Sequence, residues 1–235
     1  MSSIHIQGTQ IIDLSQAIEP GMPMPSVVSG LRLERFFSQQ AGDVVNLEIV
    51  TMSLHAGTHC DAPFHFFSDL RTVDELPVDS LIGPAVVVDM THKQGSVPIE
   101  AGDFQEWEAQ ASERVQPGDI VLLHTGHSRR WKTGREASGY WEQGWPYLVP
   151  GAVEFLVSRC IRALGVESFD SDWVNPADLS TAHFPAHRAF LPRGVLIIEN
   201  LANLDQIPGT RCQVIALPLR LKGCSGSPVR VVAVV

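Results

Sequence analysis

Short apolar runs, separated by turn-forming residues, dominate the hydrophobic pattern of this 235-residue chain. Val50, Met52 and Leu54 alternate with threonine and serine, a period of two that indicates a strand with one apolar face. The run over residues 85–89 is typical of a short buried strand. The whole pattern predicts strands over residues 4–14, 31–54, 85–89, 120–124, 195–199, 214–221 and 229–235.

Two helices are predicted between these strands. Asp103 is suited to cap a helix over residues 104–115, with Glu106 at the capping-box position. Pro150 suits the first turn of a second helix over residues 152–164, and Gly165 suits its C-terminal end. Because strands outnumber helices, we expect an α/β fold whose mixed sheet curls towards a barrel.

The composition narrows the class of protein. Apolar residues make up 44% of the chain and charged residues 18%, a profile typical of a compact enzyme. Neither a repeat nor a linker-like tract interrupts the sequence, so one domain over residues 1–235 is predicted. The net charge of −9 disfavours a nucleic-acid partner, which requires a basic face.

Sequence features also bear on the compartment. No segment approaches the roughly 20 continuous apolar residues of a membrane span, and the N-terminus lacks the basic and apolar regions of a signal peptide. The four cysteines are scattered and form no CxxC pair. Reduced thiols in a cytoplasmic protein are therefore the simplest interpretation.

Residues 55–65 carry the most informative cluster. Three of the nine histidines fall within this stretch, together with one aspartate. Since alternate side chains of a strand share a face, the polar groups at these odd positions can project to one side. Because burying them without partners would be costly, the cluster favours metal binding over a structural role. Its members are His55, His59, Asp61 and His65.

Bond lengths constrain this cluster. In an extended strand, His55 and His59 would lie about 13 Å apart, whereas metal–imidazole bonds measure only about 2.0–2.1 Å. If both bind one ion, the chain must bend between them, and Gly57 permits such a bend. Pro63 would end regular pairing and let His65 approach from another direction.

Ligand chemistry suggests roles for these side chains. Neutral imidazoles and a carboxylate suit zinc or manganese, and the two oxygens of Asp61 are able to bridge two ions. His65 could then remain free of metal and move protons. Cys60 faces the opposite side of an extended chain, so we expect it to pack in the core.

A second ion needs ligands from elsewhere in the chain. Glu199 ends an apolar run, so a strand would deliver it to a sheet end, where it is either exposed or a ligand. Pro185 argues against a shared helical face for His183 and His187. The downstream candidates are Asp170, Asp172, His183, His187 and Glu199.

Other segments carry weaker signals. His124 and His127 are interpreted as ordinary loop or pocket histidines, and the tryptophans over residues 131–145 either line a pocket or anchor a long loop. The chain contains neither a GxSxG elbow nor a GxxxxGK[ST] phosphate loop, and the glycine-rich residues 223–227 match neither pattern.

The run His-x-Gly-Thr-His-x-Asp-x-Pro-x-His resembles the signature of the cyclase family of metal-dependent hydrolases, which includes bacterial kynurenine formamidases and isatin hydrolases. This resemblance implies a swivelling β/β/α type of fold and cleavage of an amide, formamide or lactam bond by metal-activated water. It also implies a small-molecule substrate and a homodimer or homotetramer. Further segments that resemble this family's sequence blocks lie at residues 13–15, 125–126, 129–131, 199–205, 216–223 and 227–230.

The resemblance also implies residue roles. The first two histidines and the aspartate would bind zinc or manganese, here His55, His59 and Asp61, with Asp61 bridging two ions. The last histidine, His65, would be the proton donor and acceptor. A later histidine and a glutamate twelve residues beyond it would complete the second site, a spacing that His187 and Glu199 have.

Two departures from the family pattern weigh against N-formylkynurenine as the substrate. The N-terminal segment over residues 20–26 offers methionines where formamidases have an aromatic residue, and the relatives' Arg-Thr-Gly-Trp reads His124-Thr-Gly-His127 here. A lactonase or isatin-type hydrolase therefore remains an alternative. A non-catalytic, metal-stabilised binding protein is a further one, although structural zinc sites favour cysteine and four protein ligands.

Overall fold

The computed structural model describes residues 10–26, 28, 30–175, 180 and 182–235. Its helices are α1 (Ala101–Ala111), α2 (Pro150–Ser158) and α3 (Pro185–Phe190). Its strands are β1 (Ile11–Asp13), β2 (Arg32–Phe37), β3 (Leu47–Thr51), β4 (His59–Asp61), β5 (Ile82–Asp89), β6 (Pro98–Ile99), β7 (Ile120–His124), β8 (Tyr147–Leu148), β9 (Ala163–Val166), β10 (Leu196–Glu199), β11 (Arg211–Pro218) and β12 (Gly226–Val234).

A closed, mixed barrel forms the centre of the fold. Its strands follow the order β12-β11-β5-β7-β9-β10-β4, and β4 pairs back with β12. Strands β5, β7, β9 and β10 are parallel, whereas β4, β11 and β12 pair antiparallel with their neighbours. Strand β1 pairs antiparallel with the outer side of β12. Strands β2 and β3 form a separate two-stranded sheet, and so do β6 and β8. The expected α/β fold with a barrel-like mixed sheet is confirmed.

Apolar side chains cover both faces of the parallel strands. On β5, Ala85 and Val87 join one apolar cluster with side chains of β11 and β12. Val86 and Val88 join a second cluster with side chains of all three helices. Burial on both faces explains the continuous apolar runs of these strands, and each fully buried valine or leucine contributes about 1.5–3 kcal/mol.

The first helix begins earlier than predicted. Glu100, not Asp103, is the N-cap of α1, and the Asp103 carboxylate accepts a hydrogen bond of 2.7 Å from the Glu100 amide. The capping box is therefore one turn earlier than the sequence pattern suggested. The helix ends at Ala111, because Ser112 adopts a left-handed conformation with φ of 53°.

The second helix is shorter than predicted. Pro150 is its first residue, as expected, but α2 ends at Ser158 rather than at 164. Residues 163–166 form β9 instead, because the barrel places them between β7 and β10. Gly165 thus lies in a strand and does not end the helix; a Cβ there would lie 2.7 Å from side-chain atoms of both Leu122 and Leu201.

The N-terminal predictions need further correction. Within the predicted strand 4–14, β1 covers Ile11–Asp13, and residues 4–9 lie outside the described residues. The predicted strand pair over 31–54 is the hairpin β2–β3, which ends at Thr51. Its expected apolar face is not buried, since Val50 is 50% exposed. Strands β11 and β12 both begin three residues earlier than predicted.

Among the described residues, none of the helices combines the length and the hydropathy that crossing a bilayer demands.

Candidate metal centre

Strand pairing brings His59 and Glu199 together. Strand β4 lies antiparallel to β10, and its first residue, His59, pairs with Glu199, the last residue of β10. Asp61 pairs with Ile197 on one side and with Gly226 of β12 on the other. The three polar side chains at this barrel end are all buried, with at most 4% exposure. Such burial requires partners for the charged groups.

The expected bend at Gly57 is present. Gly57 has φ of +64°, and the ring centroids of His55 and His59 lie 5.2 Å apart. Because the chain turns before β4 begins, the two rings converge instead of spreading along one strand.

Cys60 lies in the apolar cluster of the barrel, as expected.

Asp61 lies between imidazoles from distant parts of the chain. Its Oδ1 is 2.7 Å from His55 Nδ1 and 3.6 Å from His59 Nε2. Its Oδ2 is 3.1 Å from His187 Nε2. Burial would raise the pKa of Asp61, but the neighbouring histidines, His55 foremost, together outweigh it and lower the pKa well below its usual range. The two oxygens of one carboxylate thus face imidazole nitrogens from distant parts of the chain, His55 and His59 on one side and His187 on the other.

Glu199 also faces two histidines. Its Oε2 lies 3.3 Å from His59 Nε2, and its Oε1 lies 3.6 Å from His187 Nε2. Within the described part of the chain, Oε1 is buried and has no hydrogen-bond partner. Burial and the charge of Asp61 raise the pKa of Glu199 well above its usual range. Crowded carboxylates, an unpaired buried oxygen and converging imidazole nitrogens fit a divalent cation.

Hydrogen bonds orient the two buried histidines. His59 Nδ1 donates to the Gly57 carbonyl at 2.9 Å, and His187 Nδ1 donates to Asp172 Oδ2 at 2.7 Å. In the neutral form of each ring, Nε2 is then the unprotonated nitrogen and faces the carboxylates, the arrangement that a metal-ligating histidine requires. Burial would lower the pKa of His187, but neighbouring carboxylates, Asp170 foremost, raise it well above its usual value.

Helix α3 separates the two downstream histidine candidates. His187 lies within the helix and is buried, whereas His183 precedes Pro185, the first helical residue, and is exposed. The prediction that Pro185 prevents a shared helical face is therefore confirmed. Asp170 and Asp172 are buried beside His187 Nδ1, at 3.7 and 2.7 Å.

His55 and His65 form the outer part of the cluster. Their rings stack with centroids 4.0 Å apart, and His65, in a short 3-10 turn, is exposed. A ring nitrogen of each, together with an Asp61 oxygen, forms a set within 4.8 Å of one another. His55 Nε2 also lies 2.9 Å from Ser225 Oγ. A Cβ at Gly226 would approach His55 Cε1 to 2.7 Å, which explains the glycine there.

The second histidine pair lies elsewhere. His124 ends β7, and His127 is buried edge-on against Tyr140 with centroids 4.6 Å apart. Burial, with the charge of Arg130, lowers the pKa of His127 to about 3, so this ring is neutral at physiological pH. His127 is thus a packing residue.

The tryptophans over residues 131–145 pack against Tyr140 of their own loop and against residues 169–172. Trp131 contacts Tyr140, Trp141 contacts Phe169, and Trp145 Nε1 donates to the Asp172 carbonyl at 3.1 Å. Of the two interpretations, the structure supports loop anchoring. The hydrogen bond from Trp145 also connects this loop to Asp172, whose carboxylate orients His187.

A cavity of about 270 Å³ opens onto the cluster. The polar side chains that line it include His55, His59, His65, His187 and Glu199. Its apolar walls come from the N-terminal segment and from three phenylalanines, namely Met24, Pro25, Val28, Phe66, Phe169 and Phe184. The cavity therefore combines an apolar wall with a polar floor, an arrangement common in small-molecule sites.

Sequence reasoning missed several supporting residues. Asp172 was a ligand candidate, yet its observed partners are His187 and the Ala186 amide. Ser225 lies in the glycine-rich segment that matched no motif. Asn200 follows Glu199 directly and contacts the Gly57 carbonyl. Asn200 lies in the block over residues 199–205 that supports the family resemblance, but its contact with Gly57 forms only in the folded chain.

Comparisons with known proteins agree with this geometry. A family model described as "Putative cyclase" matches residues 12–173. The kynurenine formamidase of Erythrobacter litoralis is 30% identical over 90% of this chain and 88% of its own length. Isatin hydrolase A from Labrenzia aggregata, solved with benzyl benzoate, has a TM-score of 0.82 and 30% identity, covering 95% of this chain and 93% of its own. A structure described as a "predicted metal-dependent hydrolase" from Bacillus stearothermophilus has a TM-score of 0.72 and 26% identity, with coverages of 95% and 97%.

Proposed function

The chain belongs to the cyclase family, and we propose that its buried cluster is a two-metal centre that hydrolyses a C–N bond of an amide, formamide or lactam. One observation carries this proposal. Asp61 and Glu199 each face imidazole nitrogens on two sides, and Glu199 Oε1 has no protein partner among the described residues. Two divalent cations would neutralise the Asp61 and Glu199 carboxylates and give Glu199 Oε1 a partner.

The ligands divide into two groups that share Asp61. His55, His59 and Asp61 would hold one ion, and Asp61, His187 and Glu199 would hold the other. Imidazole and carboxylate ligands suit zinc or manganese. When bound, a pair of such ions activates water near neutral pH and polarises a carbonyl group.

His65 is proposed as the proton carrier. His59 and His187 each have Nδ1 tied to a carbonyl or carboxylate oxygen. Neither ring nitrogen of His65 has a hydrogen-bond partner within the described part of the chain, and the ring borders the cavity. A free imidazole at the rim is placed to take a proton from water and give it to the leaving nitrogen.

The apolar walls suggest the class of substrate. Phe66, Phe169 and Phe184 offer ring faces and edges to a flat, apolar group, while the histidines hold the polar end. The formamidase relative and the isatin hydrolase neighbour indicate an aryl formamide or a cyclic amide fused to an aromatic ring. A cyclic ester is the second candidate, since an isatin-type hydrolase opens a ring.

A substrate panel tests the proposal. Protein loaded with zinc or manganese is assayed against formanilides, isatin and lactones, and we expect turnover of at least one amide. His187→Ala should abolish this turnover, whereas His183→Ala, a matched change at an exposed histidine, should preserve it. Folded, metal-loaded protein that turns over none of these compounds would contradict the proposal.

We also propose that the chain forms a homodimer or homotetramer through the hairpin β2–β3. A lone two-stranded sheet is marginal in water, so a covered face would stabilise it. The strands carry two arginines and two glutamates, so their charges balance and suit a second copy related by a twofold axis. Leu33, Phe36, Phe37, Leu47 and Ile49 are exposed there.

Sedimentation tests this assembly. Ile49→Glu is expected to dissociate the oligomer, whereas Val78→Glu, at an exposed position outside the hairpin, should not. A monomeric wild type, or an Ile49→Glu oligomer of unchanged mass, would argue against a hairpin interface.

We propose a cytoplasmic location for the protein. Cys60, Cys160, Cys212 and Cys224 are all free thiols, which supports a reducing compartment.

A further inference from the structure

The Gly57 carbonyl accepts two hydrogen bonds at the metal centre. One comes from His59 Nδ1 and the other from Asn200 Nδ2, both at 2.9 Å. The bond from His59 fixes the ring tautomer and aims Nε2 at Asp61 and Glu199. Whatever holds this carbonyl therefore also sets the direction of a ligand nitrogen.

Asn200 is itself held at two points. Its Oδ1 accepts a hydrogen bond of 2.6 Å from the Tyr140 hydroxyl. Its backbone carbonyl accepts another, also 2.6 Å, from Thr58 Oγ1, in the same turn as Gly57. Asn200 has φ of 56°, a left-handed conformation that asparagine tolerates better than most residues.

Tyr140 determines which end of the Asn200 amide faces Gly57. Only the NH₂ group can donate to a carbonyl, so a flipped amide would bring two acceptor oxygens together. The Tyr140 hydroxyl donates to Oδ1 and thereby disfavours that flip. Tyr140 is fully buried and packs against Trp131, Trp141 and His127, which hold its ring in place.

Building on the metal centre proposed above, we propose that Tyr140 and Asn200 are positioning residues that set His59 for metal binding through the Gly57 carbonyl. Their chain of hydrogen bonds runs from Tyr140 to Asn200, then to Gly57 and His59. Since Asn200 follows Glu199 directly, it links two ligands from strands far apart in sequence. The tryptophan-rich loop is thus a support for the metal centre, even though its tryptophans do not line the cavity.

Cobalt binding tests this inference without relying on turnover. Co²⁺ is titrated into metal-free protein against a competing chelator, and its visible absorption bands report the ligand geometry. Tyr140→Phe removes only the hydroxyl and should weaken binding at one of two sites roughly 10-fold, with a shifted spectrum. Tyr147→Phe is the matched control, because the Tyr147 hydroxyl takes no part in this network, and it should leave affinity and spectrum unchanged.

Asn200→Gly provides a second, independent variant. Glycine keeps the left-handed backbone and removes the amide, so binding at the same site should fall about 10- to 100-fold. Circular dichroism of each metal-free variant establishes that the barrel is intact. Either variant, folded but with wild-type Co²⁺ affinity and spectrum, would overturn the inference. Failure of the proposed function looks different, since wild-type protein would then bind fewer than two ions or hydrolyse nothing.

Discussion

His187 Nε2 lies 3.1 Å from Asp61 Oδ2, although 126 residues separate the two along the chain. Strand β4 places Asp61 at one barrel end, and α3 places His187 over the same end. Closure of the barrel between β4, β10 and β12 therefore assembles the site.

Asp172→Asn should weaken one metal site. The two oxygens of the Asp172 carboxylate accept hydrogen bonds from His187 Nδ1 and from the Ala186 amide. An asparagine side chain has only one acceptor oxygen, so one of these two donors would lose its partner. We expect the affinity for the ion held by His187 to fall about 10- to 100-fold, measured by equilibrium dialysis. Asp205→Asn, a control at an exposed ion pair with Arg129, should bind as wild type does. Equal affinities for the two variants would show that Asp172 does not orient His187.

His65→Ala should remove turnover and leave the metal content nearly intact. The reason is that the proposed role of His65 is proton transfer and not ligation. Kinetic assays and elemental analysis of the same preparation give both quantities. Because a His65 nitrogen lies in a set with His55 and Asp61 within 4.8 Å, loss of an ion would identify it as a ligand and refute the role assigned here.

Gly57→Ala should reduce both stability and metal affinity. The alanine would occupy a left-handed conformation, which costs about 1–2 kcal/mol, and its Cβ would lie 2.7 Å from Ile18 Cγ1. Gly118→Ala carries the same conformational cost, with φ of +85° and no heavy atom within 4 Å of the new Cβ. Urea unfolding should therefore show the larger loss for Gly57→Ala. Equal losses, with metal affinity unchanged, would mean that the bend is not needed for ligation.

Removal of metal should abolish turnover and preserve the fold. Two apolar clusters stabilise the barrel, so we expect its integrity not to depend on the ions. After chelation, far-ultraviolet circular dichroism should match that of the loaded protein. A protein that unfolds on chelation would instead support the alternative of a metal-stabilised binding protein.

Local patterns predicted those parts of the fold that depend on local chemistry. Strand β7 matches its predicted bounds, and Pro150 begins α2. The pattern failed beyond Ser158, where the apolar stretch over residues 163–166 fits either a helix or a buried strand. Its pairing with β7 and β10 decides between them, and that pairing is a tertiary contact.

The candidate site likewise combines residues that a local motif predicts with residues that only the folded chain brings together. His55, His59 and Asp61 lie in one motif, and bond lengths alone required the bend at Gly57. His187 and Glu199 were selected only through the family resemblance, because their approach depends on barrel closure. The contacts of Asp172, Ser225 and Tyr140 are formed by the folded chain and leave no pattern in the sequence.

Metal stoichiometry tests the two-ion centre most directly. Elemental analysis is performed on wild-type protein, His187→Ala and His183→Ala after saturation with zinc or manganese and removal of unbound ions. We expect two ions per subunit in the wild type and in His183→Ala, and one in His187→Ala. A wild type that holds fewer than two ions, or a His187→Ala variant that retains both, would contradict the two-metal centre.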